Sequence, residues 1–174
     1  SFFDMICVFE ITSDDNPDFK RVIHINSKDT FGDLHQVIQD TSGFDQSEVA
    51  SFFVTDELGR KKTEVGQNDS YQKFPKVLSM YHTKLEFCIS EIGQKLMYVF
   101  DFFNDRYLYV EFKEKLMKTD LKEPFVAYEK GNAPSQFLLN DYDDPDVELL
   151  EQEEAYRSFG DLEDYYEIFG ELDA

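Results

Sequence analysis

The spacing of apolar residues changes several times along the chain, and each change marks an element. Residues 3–12, FDMICVFEIT, are apolar, rich in β-branched side chains and without a helix cap, which predicts a strand. SDDNPD at 13–18 has turn chemistry, because Asp, Asn and Pro favour tight local bends. FKRVIHIN at 19–26 predicts a second strand, so the first two strands form a hairpin. The period then becomes helical, with Phe31, Leu34, Val37 and Ile38 on one face. Thr30 can cap the first turn with Asp33 three residues later, and Gly43 can end the helix, which predicts a helix over 30–42. VASFFVTD at 49–56 predicts another strand. Residues 57–70 read as a polar loop holding the basic run Arg60, Lys61, Lys62. Residues 71–81 suit a short helix or turn, and TKLEFCIS at 83–90 suits a strand or its prelude.

The clearest hairpin is YVFDFFNDRYLYVEF at 98–112. Asn104–Asp105 has the chemistry of a two-residue turn, which pairs Phe103 with Arg106, Phe102 with Tyr107 and Asp101 with Leu108. One face then carries Tyr98, Phe100, Phe102, Tyr107 and Tyr109. The other carries Met97, Val99, Phe103, Leu108, Val110 and Phe112, with Asp101 and Arg106 among them. A sheet apolar on both faces is either covered on both or offers one to a partner.

Beyond Pro124 the pattern is irregular, with Phe125, Val126 and Tyr128 as possible anchors to the sheet. After Asn140 the composition shifts. Residues 141–174 hold seven Asp and seven Glu against the single base Arg157, a net charge of −13 within a total of −20. That acidic tail is nonetheless compatible with helix over DVELLEQEEAYRSF and over DLEDYYEIFGEL, where Leu162, Tyr165, Tyr166 and Phe169 recur at helical spacing. Short helices of this kind dock on a domain or on another protein.

Composition narrows the function classes. With 41 % hydrophobic and 16 % aromatic residues, the 174-residue chain can build a real core. A charge of −20 repels phosphate backbones and suits a basic protein partner, so nucleic acid is disfavoured. No run approaches the ~18 apolar residues of a membrane span. No signal peptide is visible among the first thirty residues, which Asp4, Glu10, Asp14 and Asp15 interrupt. The expectation is a cytoplasmic protein in which Cys7 and Cys88 are buried thiols.

Three segments in order resemble the Ri-plasmid ORF-three-like family, also described as a transposon-passenger family. TFGDLHQVIQDTSGF is similar to its helix with a Leu-His pair, here Leu34–His35. LMYVFDFFNDRYLYVEF resembles its strand-turn-strand with a Tyr-Asp-Phe-Gly-Asp core. GNAPSQF resembles its Gly-x-x-Pro-Pro segment. The likeness spans about residues 3–140 and omits the acidic tail. Asp101 and Phe102 match the family pattern, and Asp105 matches if no gap intervenes. Phe103 stands for the usual Gly, Asn104 for Asp, Arg106 for Trp and Leu108 for His. The resemblance implies a domain of unknown biochemical function in a mobile-element or bacterial setting.

Chemistry-bearing residues are sparse. Asp101 lies on an apolar face, as a general base or metal ligand, or as half of a cross-strand ion pair with Arg106. His24, His35 and His82 are scattered, with no zinc-type spacing, and His35 stands out through the family-like helix. No nucleophile elbow, P-loop or dinucleotide fingerprint occurs. DYDDPDVE fails as a calcium loop, because Leu149 stands where Gly is needed and Ala155 where Glu is needed. Arg60–Lys62 is a solvated loop or a phosphate contact.

The expected fold is α+β: a mixed or antiparallel sheet of five to six strands with the 30–42 helix packed on it, over residues 1–140. The acidic tail at 141–174 is expected to be partly helical, either folding back on the domain as one or two helices or projecting freely. The expected function is a non-enzymatic protein-interaction module. Its binding residues are Tyr98, Phe100, Phe102, Tyr107 and Tyr109 on the sheet and Tyr165, Tyr166 and Phe169 in the tail. The alternative is an enzyme of unknown reaction, metal-assisted or not, using Asp101 and His35. No resident metal or cofactor is expected.

Overall fold

A computed structural model describes residues 5–68, 76–117, 121–138 and 152–157. The strands are β1 (Met5–Thr12), β2 (Lys20–Asn26), β3 (Ser51–Thr55), β4 (Lys61–Gly66), β5 (Val77–Ser79), β6 (Lys95–Asp101), β7 (Arg106–Met117) and β8 (Phe125–Lys130). Helix α1 spans Phe31–Ser42, α2 is the single turn Leu85–Cys88, and residues 152–157 form a further helical turn. The eight strands make one mixed sheet in the order β5-β4-β3-β6-β7-β1-β2-β8. Every neighbour is antiparallel except β4 and β5. The fold is α+β.

Helix α1 forms where the period predicts it, for the reasons its ends announce. The Thr30 hydroxyl accepts from the Asp33 amide at 3.2 Å, and the Asp33 carboxylate accepts from the Thr30 amide at 2.9 Å. Gly43 turns left-handed at φ +69° and its amide closes on the Gln39 carbonyl. The buried face of α1 carries Phe31, Leu34, His35, Ile38 and Gln39. It covers one face of the sheet, where the main core gathers Phe9, Ile23, Phe52, Tyr98, Phe100 and Phe112 among others.

The opposite face holds a second, smaller apolar cluster of Phe53, Val99 and Phe102, edged by Met97 and Tyr107. Successive residues of a strand point to opposite faces. Phe52 therefore joins the first cluster and its neighbour Phe53 the second; Tyr98 and Val99 divide likewise on β6.

The sheet has more strands than the five to six expected. The segment 57–70, read as a polar loop, contains β4, which pairs antiparallel with β3. Its hairpin turns at Asp56, whose carboxylate accepts from the Leu58 and Arg60 amides, and at Gly59 with φ +79°. Its Lys61 and Lys62 are sequence camouflage: only the last three residues of β4 are buried. Within 71–81, residues 77–79 are strand β5 and not helix; residues 71–75 lie outside the described residues. Residues 125–130 form edge strand β8 on β2, mostly exposed, which explains their irregular pattern. TKLEFCIS makes α2 in place of a strand. There the Leu85 and Glu86 amides donate to the Asp29 and Ser27 carbonyls.

The hairpin register also differs from expectation. Four residues, 102–105, connect β6 to β7, and Asp101 faces Arg106. Val99 faces Tyr107 and Tyr98 faces Leu108, with the ladder irregular between Val99 and Asp101. Relative to the two-residue turn this is an odd slip, and an odd slip exchanges the two faces of one strand against the other. Tyr98 and Phe100 therefore share the first face with Leu108, Val110 and Phe112, while Tyr107 borders the second.

Cys7 and Cys88 are free thiols. Cys7 is buried and Cys88 is half-buried, and burial pushes their pKa values up to about 12 and about 11. No helix among the described residues is long and apolar enough to cross a membrane.

Candidate functional site

The site is built around the end of the β6–β7 hairpin. Asp101 closes β6 and is fully buried. A buried carboxylate needs its lone pairs filled, and the chain fills them locally. Its Oδ1 accepts from the Asn104 amide at 3.1 Å and from the Gln152 side-chain amide at 2.8 Å. Its Oδ2 accepts from Asn104 Nδ2 at 3.0 Å and from Arg106 Nη1 at 3.2 Å. Asp105, at φ +51°, supplies the left-handed residue that the turn requires, a conformation Asp tolerates better than most.

Arg106 binds three segments together. Its Nε donates to Asp15 at 2.8 Å in the β1–β2 turn, and its Nη2 donates to the Ser135 carbonyl at 2.6 Å. Its Nη1 also reaches the Gln136 carbonyl at 3.3 Å, and the guanidinium lies over the Phe100 ring at 4.9 Å. Gln136 in turn accepts from the Asp45 amide at 2.6 Å and donates to the Asp45 carbonyl at 3.2 Å. GNAPSQF is thus clamped from both sides. Gly131 begins it at φ +67°, where a Cβ would sit 2.5 Å from the Asp18 carbonyl oxygen. An open cleft of about 680 Å³ lies beside Arg106, lined by Asp15, Asn16, Asn104, Pro134 and Ser135.

Over the second sheet face sits the helical turn 152–157. Gln152, Ala155 and Tyr156 have the i, i+3, i+4 spacing that puts three side chains on one side of a helix. The buried Gln152 carbonyl oxygen accepts from the Phe102 amide at 3.0 Å, while its NH₂ donates to Asp101. One neutral side chain thereby satisfies a backbone amide and a buried carboxylate together. Ala155 and Tyr156 pack on the Phe53, Val99, Phe102 cluster. The Tyr156 ring meets Phe102 edge-on, with centroids 4.8 Å apart and planes at 83°. Its hydroxyl donates to Glu64 Oε2 at 3.1 Å, an oxygen that also accepts from Ser51 at 3.0 Å. Burial, and then the Glu64 carboxylate, push the Tyr156 phenol well above the usual tyrosine range.

The residues singled out from the sequence fall in different places. Tyr98 and Phe100 are buried in the main core, and Phe102 is buried on the second face under Tyr156. Tyr107 and Tyr109 are half-buried, ring against ring, with hydroxyls 3.3 Å apart. Tyr165, Tyr166 and Phe169 lie outside the described residues. His35 is on the buried face of α1, where Nδ1 faces the Tyr98 hydroxyl at 2.7 Å. That hydroxyl accepts from Gln39 Nε2 at 2.6 Å. Burial lowers the His35 pKa to about 4. Among the described residues, Asp101 and His35 share no hydrogen-bond partner; Asp101 makes the ion pair with Arg106 that its sequence position allowed. Among the described residues, no group of three or more His, Cys, Asp or Glu is placed to hold a metal ion.

The match to known sequences covers residues 7–136, from within β1 to Gln136 of GNAPSQF, and is to the plasmid pRiA4b ORF-3-like proteins. The chain belongs to the plasmid pRiA4b ORF-3-like family. Within this member, the Phe53, Val99, Phe102 face and Asp101 lie inside the matched span, and Gln152 and Tyr156 lie beyond it. The fold is similar to the crystal structure of a protein of unknown function from Methanosarcina mazei Go1. The TM-score is 0.63 at 19 % identity, over 76 % of this chain and 73 % of that one. No curated protein matches the sequence.

Gln152 and Tyr156 were not singled out from the sequence. Their signal there is faint: two uncharged side chains four apart in an acidic stretch, on the same side of a helix.

Proposed function

We propose that this domain is a non-enzymatic protein-interaction module whose second sheet face is a seat for a short helix. The observation that carries the reading is Gln152. A helical side chain donates to the buried carboxylate of Asp101 and accepts from the Phe102 amide. Such bidentate polar contact at the rim of a small apolar cluster is how a groove fixes the register of an incoming helix. Phe102 and Tyr107, with Phe53 and Val99, form the apolar floor, and Glu64 receives a hydroxyl from the far end of the helix. The seat is filled in cis by 152–157, so the tail is the first ligand of its own domain.

The geometry of Asp101 favours this reading over general-base or metal chemistry. Its oxygens are engaged by Asn104, Arg106 and Gln152, all within hydrogen-bonding distance.

The test uses the full chain with Gln152→Ala and Tyr156→Ala, which empties the seat while keeping the sheet. A fluorescein-labelled peptide of residues 148–160 is titrated by anisotropy. The expected result is saturable binding to the double variant and at least tenfold weaker binding to the unmodified chain. Absence of binding to both overturns the reading.

A further inference from the structure

Both ends of the seat present a buried carboxylate to the turn 152–157. On β3 and β4, Ser51 pairs with Gly66 and Phe53 with Glu64, so all four share the second face. Glu64 is buried, and its Oε2 accepts from Ser51 Oγ at 3.0 Å and from the Tyr156 hydroxyl at 3.1 Å. Gly66 gives this acceptor its room. A Cβ there would stand 3.0 Å from Ser51 Oγ and 3.2 Å from Glu64 Oε2. At the other end, Arg106 and Asn104 Nδ2 bond Asp101 Oδ2, and Oδ1 receives the Asn104 amide and Gln152. Each carboxylate thus takes a hydrogen bond from an uncharged side chain of the turn.

The residue at the Asp101 end has two tasks at once. It donates to Asp101 at 2.8 Å and accepts from the Phe102 amide at 3.0 Å. An amide side chain does both, whereas a carboxylate only accepts and an ammonium only donates. At the Glu64 end, a ring packs edge-on against Phe102 and carries a donor at its tip. Phenylalanine would fill the same space but leave Glu64 Oε2 without that donor, a loss that exceeds the net worth of the bond. Burial, and then Glu64, hold the phenol above the usual tyrosine range, so it stays a donor. Positions i and i+4 are about 6 Å apart along a helix, and the two acceptors fix the register. Shifting the chain by one residue brings Glu151 or Glu153 to Asp101, and a shift of two brings Glu154. Each sets a carboxylate against a buried carboxylate.

We infer that the seat is selective for a helix with an amide side chain at i and a phenol at i+4, and that Asp101 and Glu64 set this selectivity. The inference rests on the helix-seat reading and adds the chemistry the seat admits. Arg106 and Asn104 are positioning residues for Asp101, and Ser51 is one for Glu64. The seat rejects an acid at i and a plain phenyl ring at i+4, although both are close in shape to the residues it holds.

Three fluorescein-labelled peptides of residues 148–160 test this: the parent, Gln152→Glu and Tyr156→Phe. They are titrated by anisotropy against the full chain carrying Gln152→Ala and Tyr156→Ala, and against the same chain with Glu64→Met added. About 1 M NaCl, with a Debye length of ~3 Å, screens differences in net charge. On the first chain, each substitution is expected to weaken binding at least tenfold. With Glu64→Met, the parent and Tyr156→Phe peptides are expected to bind within twofold of each other, while Gln152→Glu keeps its penalty. In the otherwise unmodified chain, Gln152→Glu is expected to raise amide exchange at Phe102 at least tenfold, although the acceptor for that amide is retained. Unchanged exchange there overturns the role of Asp101, whether or not the Glu64→Met chain folds. Equal binding of all three peptides to the first chain overturns the selectivity and leaves the seat standing. A Tyr156→Phe penalty that persists with Glu64→Met overturns the role of Glu64. If no peptide binds, the helix-seat reading falls and the selectivity with it.

Discussion

The two faces of the sheet are closed in different ways. The first is covered by twelve-residue α1, capped at both ends, over a core that draws on β1, β2, β3, β6 and β7. Its few polar groups, His35, Gln39 and Tyr98, are bonded to one another inside it. The second is a patch of three buried side chains on β3, β6 and the hairpin turn, met by a six-residue helical turn remote in sequence. Burial scales with apolar area, so the first face carries folding and the second carries only a local increment. A cover that contributes little to folding is one that can be exchanged without unfolding the domain.

The largest effects should lie on the first face. Phe52 packs edge-on against Phe31 and tilted against Tyr98, with centroids 5.4 Å and 4.9 Å away. Phe52→Ala is expected to lower the unfolding free energy by about 3–5 kcal/mol in urea denaturation. A loss below about 1 kcal/mol would break the contrast between the faces.

Arg106→Met comes next, because it leaves the buried Asp101 without its charge partner while Asn104 and Gln152 remain. The expected loss is about 3 kcal/mol, measured the same way. The companion double variant Asp101→Asn/Arg106→Met should recover part of it, since no buried charge is then left unpaired.

His35 gives the contrast a pH dependence. Its folded pKa of about 4 lies below the ordinary 6.5, so the unfolded chain binds the proton first. The neutral ring's contribution is complete above pH 6.5 and is lost as pH falls from there through about 4. The lost stability is about 3 kcal/mol for this group. His35→Asn, which keeps an acceptor for the Tyr98 hydroxyl, is expected to flatten that part of the stability curve. An unchanged slope between pH 6.5 and 4 would count against a buried neutral His35.

The smallest global effect is expected on the second face. Gln152→Ala should lower global stability by about 1 kcal/mol, while amide exchange at Phe102 rises markedly. A global loss as large as that of Phe52→Ala would make the turn part of the folding core.

What the sequence displayed follows the same division. Helix α1 was legible because its cap, its period and Gly43 all agree. The pairing of β1 with β2, the β6–β7 hairpin and the ion pair of Asp101 with Arg106 were legible for similar local reasons. The strands β4 and β8 were not, because half-buried Lys61 and exposed Lys62, Glu129 and Lys130 mimic loop composition. The faces of the hairpin were exchanged in expectation because a four-residue turn and an irregularity beside Phe100 change the register by an odd number. The seat was least legible of all. Gln152 and Asp101 are fifty-one positions apart, and no periodicity links a neutral glutamine in an acidic tail to the amide of Phe102.

Amide hydrogen exchange on the full chain and on its Gln152→Ala/Tyr156→Ala variant tests the central claim most directly. Faster exchange at Phe102 and Phe103 and in residues 152–157, with β1, β2 and α1 unchanged, is the predicted result. Faster exchange spread over both faces, or no change at Phe102, would contradict an exchangeable helix seat.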